Sequence, residues 1–251
     1  VDEAIFRKAR LVAALGRCMA DRVQPKLPRG VFPTLLPLWK DADEIVPVSR
    51  AANPLAAEWD LGDRFVLMYS GNAGLGHRFE EVKALLRHYR GDPGMLTLFV
   101  GGGSRRQELE HFIADQQIDN ARYLDYVPRD QVRWTLPLAD THLVTLQPSW
   151  SGIAVPSKIF GILASARPAA MVGPGDSEVA RIITESGAGR VIIPGGSTSA
   201  ADLIEFIETV RQDPEMREEM GQRGRRALER TYTLDAGLDR WEVALHLALS
   251  G

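Results

Sequence analysis

The residues best placed to do chemistry in this chain are Ser157 and Lys158, a serine and a lysine at the opening of a helical pattern that follows a short apolar run. The stretch PSWSGIAVPSKIFGILASARP, residues 148–168, leads from the end of Leu143-Val144-Thr145-Leu146 into Lys158-Ile159-Phe160-Gly161-Ile162-Leu163-Ala164. With Ser157 as the cap, the unpaired helix N–H groups, the helix dipole and the Lys158 ammonium would converge, an arrangement that suits an anion such as a diphosphate. An ordinary capped helix with a solvated lysine would leave the same local pattern, so the pair by itself leaves both readings open.

Other candidates sit in loops that follow apolar runs. In Ser70-Gly71-Asn72-Ala73-Gly74-Leu75-Gly76-His77 the glycines would let backbone N–H groups approach a phosphate. His77 is a candidate catalyst, although a lone histidine serves as readily to start or pack a helix. Gly101-Gly102-Gly103-Ser104 fits a tight strand-to-helix turn better than a ligand loop. No paired carboxylates stand at a spacing that indicates glycoside hydrolysis, and no ligand cluster indicates a metal, so neither a metal nor a cofactor is expected.

Composition narrows the class. A net charge of -3 gives no overall attraction to nucleic acid, and Arg223, Arg225 and Arg226 read as a solvated helix face. The single cysteine, Cys18, excludes an intramolecular disulfide, fits a reducing compartment and has no local support as a nucleophile. No apolar run reaches the roughly 20 residues needed to span a bilayer, and no signal-peptide pattern opens the chain. A cytoplasmic location, peripheral at most, is expected. The chain opens at Val1, inside a helical pattern and without an initiator Met, and so reads as a fragment.

The elements that must position these residues alternate between strand and helix. Apolar runs at 65–69, 96–100, 121–124, 141–146, 169–172 and 189–193 read as strands, with helical stretches at 80–90, 105–117, 129–136, 157–166 and 177–186 between them. Three more helices follow, at 199–211, 214–232 and 234–249, the last with Trp241 in an amphipathic repeat. The order predicts an α/β fold: a Rossmann-like parallel sheet with helices on both faces. Residues 1–9 read as helix, 11–15 as a strand and 17–24 as helix. Pro25, Pro28, Pro33, Pro37, Pro47 and Pro54 then suit a connecting segment more than a packed element. The expected main domain begins near Trp59, and ligands of such a sheet bind beyond the carboxyl ends of its strands.

Taken in order, Tyr-Ser-Gly-Asn-x-Gly at 69–74, Val-Gly-Gly-Gly at 100–103, Tyr-Val-Pro at 126–128, Ala-Asp at 139–140, Pro-Ser-Lys at 156–158, Ala-x-x-Arg-Pro at 164–168 and Ser-Glu at 177–178 form a set. The set resembles the C-terminal half of a retaining, GT-B-fold glycosyltransferase of family four, nearest the bacterial surface-polysaccharide branch that includes colanic-acid and O-antigen transferases. The likeness covers nearly the whole chain. It is specific as an ordered set and weak in any single member.

The resemblance implies a nucleotide-sugar donor, a UDP-sugar by preference, and a saccharide or lipid-linked acceptor. It implies a domain 59–233 that holds the donor, a segment 1–58 left from an N-terminal acceptor domain and its linker, and a helix 234–251 that packs back on that domain. The missing half would be a truncated part of the same chain or a separate partner. Exposed apolar surface would then favour self-association, and the acceptor would favour peripheral contact with the inner face of the plasma membrane. Residue by residue, Gly71, Asn72 and Gly74 would lie near the donor phosphates with His77, and Lys158 would contact the diphosphate beside Ser157. The loop with Tyr126 and Val127 would present backbone to the base, Gly102 would be a further donor-binding residue, and Ser177 with Glu178 would edge the sugar or ribose pocket. Lys158 and His77 would serve catalysis by stabilising charge on the departing diphosphate. One departure matters: many family members carry two glutamates where this chain has Ile153 and Gly161, the second often binding ribose. Alternatives are a non-catalytic or partner-dependent nucleotide-sugar-binding module and a nucleotide-sugar 2-epimerase.

Overall fold

A computed structural model describes residues 3–250. Helix α1 (Glu3–Lys8), strand β1 (Ala13–Ala14) and helix α2 (Arg17–Val23) come first, followed by strand β2 (Thr34–Leu35) and helix α3 (Leu55–Glu58). The repeat then runs β3 (Phe65–Ser70), α4 (Glu80–His88), β4 (Met95–Val100), α5 (Arg106–Asp115), β5 (Ala121–Leu124), α6 (Val132–Thr135) and β6 (Thr141–Thr145). It continues through α7 (Lys158–Ala164), β7 (Ala169–Val172), α8 (Glu178–Ser186) and β8 (Gly189–Ile192). Helices α9 (Ser199–Gln212), α10 (Pro214–Thr231) and α11 (Leu234–Ser250) close the chain.

Strands β3 to β8 form one parallel sheet in the order β5-β4-β3-β6-β7-β8. Successive side chains of a strand point to opposite faces, and here both faces are covered. Phe65, Leu67 and Tyr69 pack with Val82, Leu85 and Leu86 of α4 and with Leu203, Phe206 and Ile207 of α9. Val66 and Met68 pack on the other face with Leu55 and Leu61, and Val144 and Met171 join Ile159, Leu163 and Ile183 there. The strand order reverses between β3 and β6, which opens a crevice at their carboxyl ends.

Three local expectations change. Residues 129–136 form a chain of short helical turns that runs into Pro137, which lacks the N–H a continuous helix would need there. The strand at 11–15 shrinks to Ala13–Ala14 and pairs in parallel with Thr34–Leu35. The proline-rich segment is a packed ribbon. Arg50 donates to Asp140 at 2.5 Å, Asn53 to the Trp134 carbonyl at 2.6 Å, Arg167 to the Val48 carbonyl at 3.2 Å and Arg225 to the Ile45 carbonyl at 2.8 Å. Its prolines spare it backbone donors that would otherwise need partners, and arginines from the main body supply the rest.

Arg225 also donates to the Ala164 carbonyl, and Arg223 to that of Gly187. Two of the three arginines expected on a solvated face are therefore clamps between α10 and the body. Among the described residues, no helix is long and apolar enough to cross a membrane.

Candidate functional site

The crevice at the strand-order reversal is a cleft of about 550 Å³. Ser70, Gly71, Asn72 and His77 line one side; Val155, Pro156, Ser157, Lys158 and the first turns of α7 line another. Trp39, Lys40 and Ile45 of the ribbon, with Val132 and Leu136, complete it.

Lys158 defines the electrostatics. Its Nζ is shielded from solvent and has no hydrogen-bond partner among the described residues. It lies 3.5 Å from the centroid of the Tyr69 ring, a cation–π contact that offsets part of the cost of burying it. Desolvation pulls the ammonium down from its ordinary 10.5 to about 7. Beside it, Gly71 has φ +123°, and a Cβ there would meet Lys158 Cε at 3.4 Å. The left-handed backbone and the lysine head together explain why glycine stands at this position.

His77 is held neutral. Its Nδ1 lies 2.7 Å from the Thr145 carbonyl and so carries the hydrogen, leaving Nε2 with its lone pair. Burial and the neighbouring Lys158 charge push it down to about 4. Its ring meets Tyr69 edge-on at 5.8 Å. Tyr69 donates its hydroxyl to the Asn72 carbonyl at 3.0 Å, which fixes the loop from below.

Of the residues singled out from the sequence, the structure brings Gly71, Asn72, His77, Ser157 and Lys158 to the cleft wall. Ser157 is not the cap expected of it: its backbone is already helical (φ -64°, ψ -17°) and its side chain makes no capping bond. Lys158 is not solvated, because its head folds back onto Tyr69.

The remaining candidates do not line this cleft. Gly74 builds the turn, accepting from the His77 N–H at 3.1 Å. Gly102 accepts from the Ala73 N–H at 2.6 Å and lies under the Tyr126 ring. A Cβ on Gly101 would stand 2.3 Å from the Gly71 carbonyl, so the triple glycine brings two turns into backbone contact. Tyr126 is exposed at that turn, and Val127 packs against the core. Ser177 caps α8, its Oγ accepting from the Ala180 N–H at 3.3 Å. Glu178 is buried and accepts from the Arg17 N–H at 2.7 Å, so its carboxylate is occupied by α2 and does not edge the cleft.

Sequence reasoning missed Trp39, Lys40, Ile45, Val132 and Leu136. A tryptophan, a lysine and an isoleucine among prolines were the available signal, since a solvated linker has little use for buried aromatic and aliphatic side chains. No group of three or more His, Cys, Asp or Glu side chains among the described residues is placed to hold a metal ion.

No family model matches the chain. It is 26% identical over 205 residues to WbjE of Pseudomonas aeruginosa, named a glycosyltransferase, covering 81% of this chain and 50% of that protein. It is 25% identical over 155 residues to WcaI of Escherichia coli strain K12, named a colanic acid biosynthesis glycosyl transferase, covering 61% of this chain and 38% of that one. The chain thus spans half or less of these curated relatives. Among solved structures it superposes on sucrose-phosphate synthase of Thermosynechococcus elongatus with a TM-score of 0.81 at 16% identity, covering 99% of this chain and 61% of that one. It superposes on Anabaena HepE in complex with UDP and glucose with a TM-score of 0.82 at 12% identity, covering 96% and 64%. The likeness to GT-B glycosyltransferases drawn from the motifs is borne out, and the fold is the Rossmann-like α/β sheet expected.

Proposed function

We propose that this chain is the donor-binding half of a glycosyltransferase that takes a UDP-sugar in the crevice between β3 and β6 and passes the sugar, with retained configuration, to a saccharide or lipid-linked acceptor of a cell-surface polysaccharide. One observation carries the reading. Lys158 Nζ is buried at the wall of a cleft, beside the Gly71 turn, with no hydrogen-bond partner among the described residues, and a buried cation so placed is costly unless an anion completes it. A diphosphate supplies that anion. The curated relatives are named for glycosyl transfer, and the structure of Anabaena HepE holds UDP and glucose, which supports uridine as the base.

In this reading Lys158 takes up its full charge when the diphosphate arrives and stabilises the charge that grows on it as the glycosidic bond breaks. Neutral His77, fixed by Thr145, offers an uncharged ring edge toward the same cleft. The acceptor would bind between this half and a second one, of which residues 1–58 are the end and onto which α11 returns. Leu234, Leu238, Leu245 and Leu249 of α11 are exposed, which supports a partner surface there and self-association of the half alone.

The test is a thermal-shift titration with UDP, GDP and ADP, since a ligand of the native state raises stability with its concentration. Stabilisation by UDP is expected, and silence from all three would remove the donor assignment. Sugar transfer by this chain alone, with a UDP-sugar and a saccharide acceptor, is expected to be absent, and its detection would remove the second half from the account.

A further inference from the structure

Besides Lys158 and its polar neighbours, the cleft wall carries two aromatic rings, Trp39 of the ribbon and Phe160 of α7. Both are fastened to the junction of α10 and α11. The Phe160 ring lies 5.2 Å from that of Tyr232, and the Tyr232 carbonyl accepts from the Lys40 N–H at 2.9 Å. The Trp39 indole lies directly against Gly237 in the opening turns of α11. A Cβ on Gly237 would stand 2.7 Å from Trp39 Cδ2 and Cε3 and 3.0 Å from Cγ, closer than packed side chains approach. Glycine weakens a helix interior, and the close approach of the indole is the reason for it here. Among the described residues of α11, Gly237 and Ala244 are buried, so Trp39 bears on one of the points that seat the helix.

The same indole thus belongs to the cleft and to the seat of α11. A diphosphate asks only for the cation and the turn at Gly71, whereas the rest of a nucleotide sugar brings a flat base and the C–H faces of its sugars. Such groups gain from packing on an aromatic ring, and they gain most where the ring is already held in place. On the donor reading above, we propose that Gly237 is a positioning residue for the cleft: it seats Trp39 as the ring against which the organic part of the donor packs, so that donor binding and the docking of α11 strengthen each other. The coupling runs equally in both directions, and either end can be measured.

Calorimetry of the whole chain with UDP-glucose and with inorganic pyrophosphate tests the cleft end. Gly237→Ala and Trp39→Leu are each expected to weaken UDP-glucose by roughly fivefold or more while pyrophosphate stays within about twofold, because pyrophosphate has no ring to lose. Trp39→Phe keeps an aromatic face and is expected to hold UDP-glucose within roughly threefold of the native chain. Equal losses for both ligands would mean a general collapse of the cleft, and no loss for either would mean that the indole touches no donor. Each result overturns the inference and leaves donor binding intact. Binding of neither UDP nor UDP-glucose by the native chain removes the donor reading and this inference with it. Hydrogen exchange on the native chain tests the other end. Saturating UDP-glucose is expected to slow the amides of residues 234–240 by roughly threefold beyond any slowing in α5, which does not line the cleft. No excess slowing overturns the inference, and this measurement decides where a variant does not fold.

Discussion

Two successive helices, α7 and α8, each open on a serine followed by a charged residue, Ser157-Lys158 and Ser177-Glu178. The second pair is complete in itself. Ser177 accepts from the Ala180 N–H and donates to the Pro174 carbonyl at 2.7 Å, and Glu178 is occupied by Arg17. The first pair is open: among the described residues Ser157 makes no capping bond and Lys158 Nζ has no hydrogen-bond partner at the cleft wall. The difference separates stability from binding. Where every polar group has found a partner within the protein, the residue holds the fold together, and where one has not, a ligand is the natural completion.

The largest effect that would sharpen this contrast is a pH dependence of the ligand-free chain. The Lys158 pKa in the folded chain lies near 7, below its ordinary 10.5. Between those values the unfolded chain holds a proton that the folded chain has released. Stability contributed this way rises with pH across the window and is lost as pH falls back through about 7. With each pKa unit near 1.4 kcal/mol, the full span is at most several kcal/mol. Urea melts from pH 7 to 10 are expected to show a steeper rise for the native chain than for Lys158→Met, and parallel curves would mean that Nζ is solvated.

Next in size is the loss of affinity in Lys158→Ala, roughly 1–3 kcal/mol in UDP binding by calorimetry, the range for a hydrogen bond to a charged group. The melting temperature is expected to hold or rise, because the variant removes an unpartnered buried charge. Unchanged affinity would return Lys158 to a purely structural role. Glu178→Gln is expected to do the reverse. Stability falls by roughly 1–2 kcal/mol as the charge-assisted bond to Arg17 weakens, while UDP affinity stays within about twofold. A tenfold loss of affinity there would put Glu178 back at the ligand.

How far this was legible in the sequence depended on whether the cause was local. The inner strands β4, β3, β6 and β7 could be read because each is a mostly apolar run buried on both faces, whereas the edge strands β5 and β8, with Arg122 and Arg190, follow from their place in the alternation. Gly71, His77 and Lys158 could be found because ligands of such sheets gather at strand ends. The second wall of the cleft was not legible. Trp39 and Ile45 are brought there by tertiary bonds, such as that of Arg225 to the Ile45 carbonyl, that leave no periodic trace. The fate of Glu178 was hidden for the same reason, since its partner Arg17 lies 161 positions away. The two serines look alike in sequence, and only the backbone at each decides which one caps: φ -64° and ψ -17° at Ser157, extended at Ser177.

The smallest expected effects test those two hydroxyls against each other. Ser177→Ala removes a cap from a helix of the main sheet and is expected to lower stability by roughly 0.5–2 kcal/mol, with UDP affinity unchanged. Ser157→Ala removes a hydroxyl that makes no hydrogen bond among the described residues, so its stability should stay within about 0.5 kcal/mol of the native chain. That hydroxyl is exposed at the cleft wall, where it can donate to a phosphate oxygen, and its loss is expected to weaken UDP by roughly two- to tenfold. Denaturation midpoints at matched slopes, with calorimetry on the same samples, give both quantities for both variants. The two variants are expected to cross, one losing stability and the other affinity. Equal losses of stability would mean that Ser157 caps α7 in solution after all, and the distinction between an open and a completed helix start would rest on Lys158 and Glu178 alone.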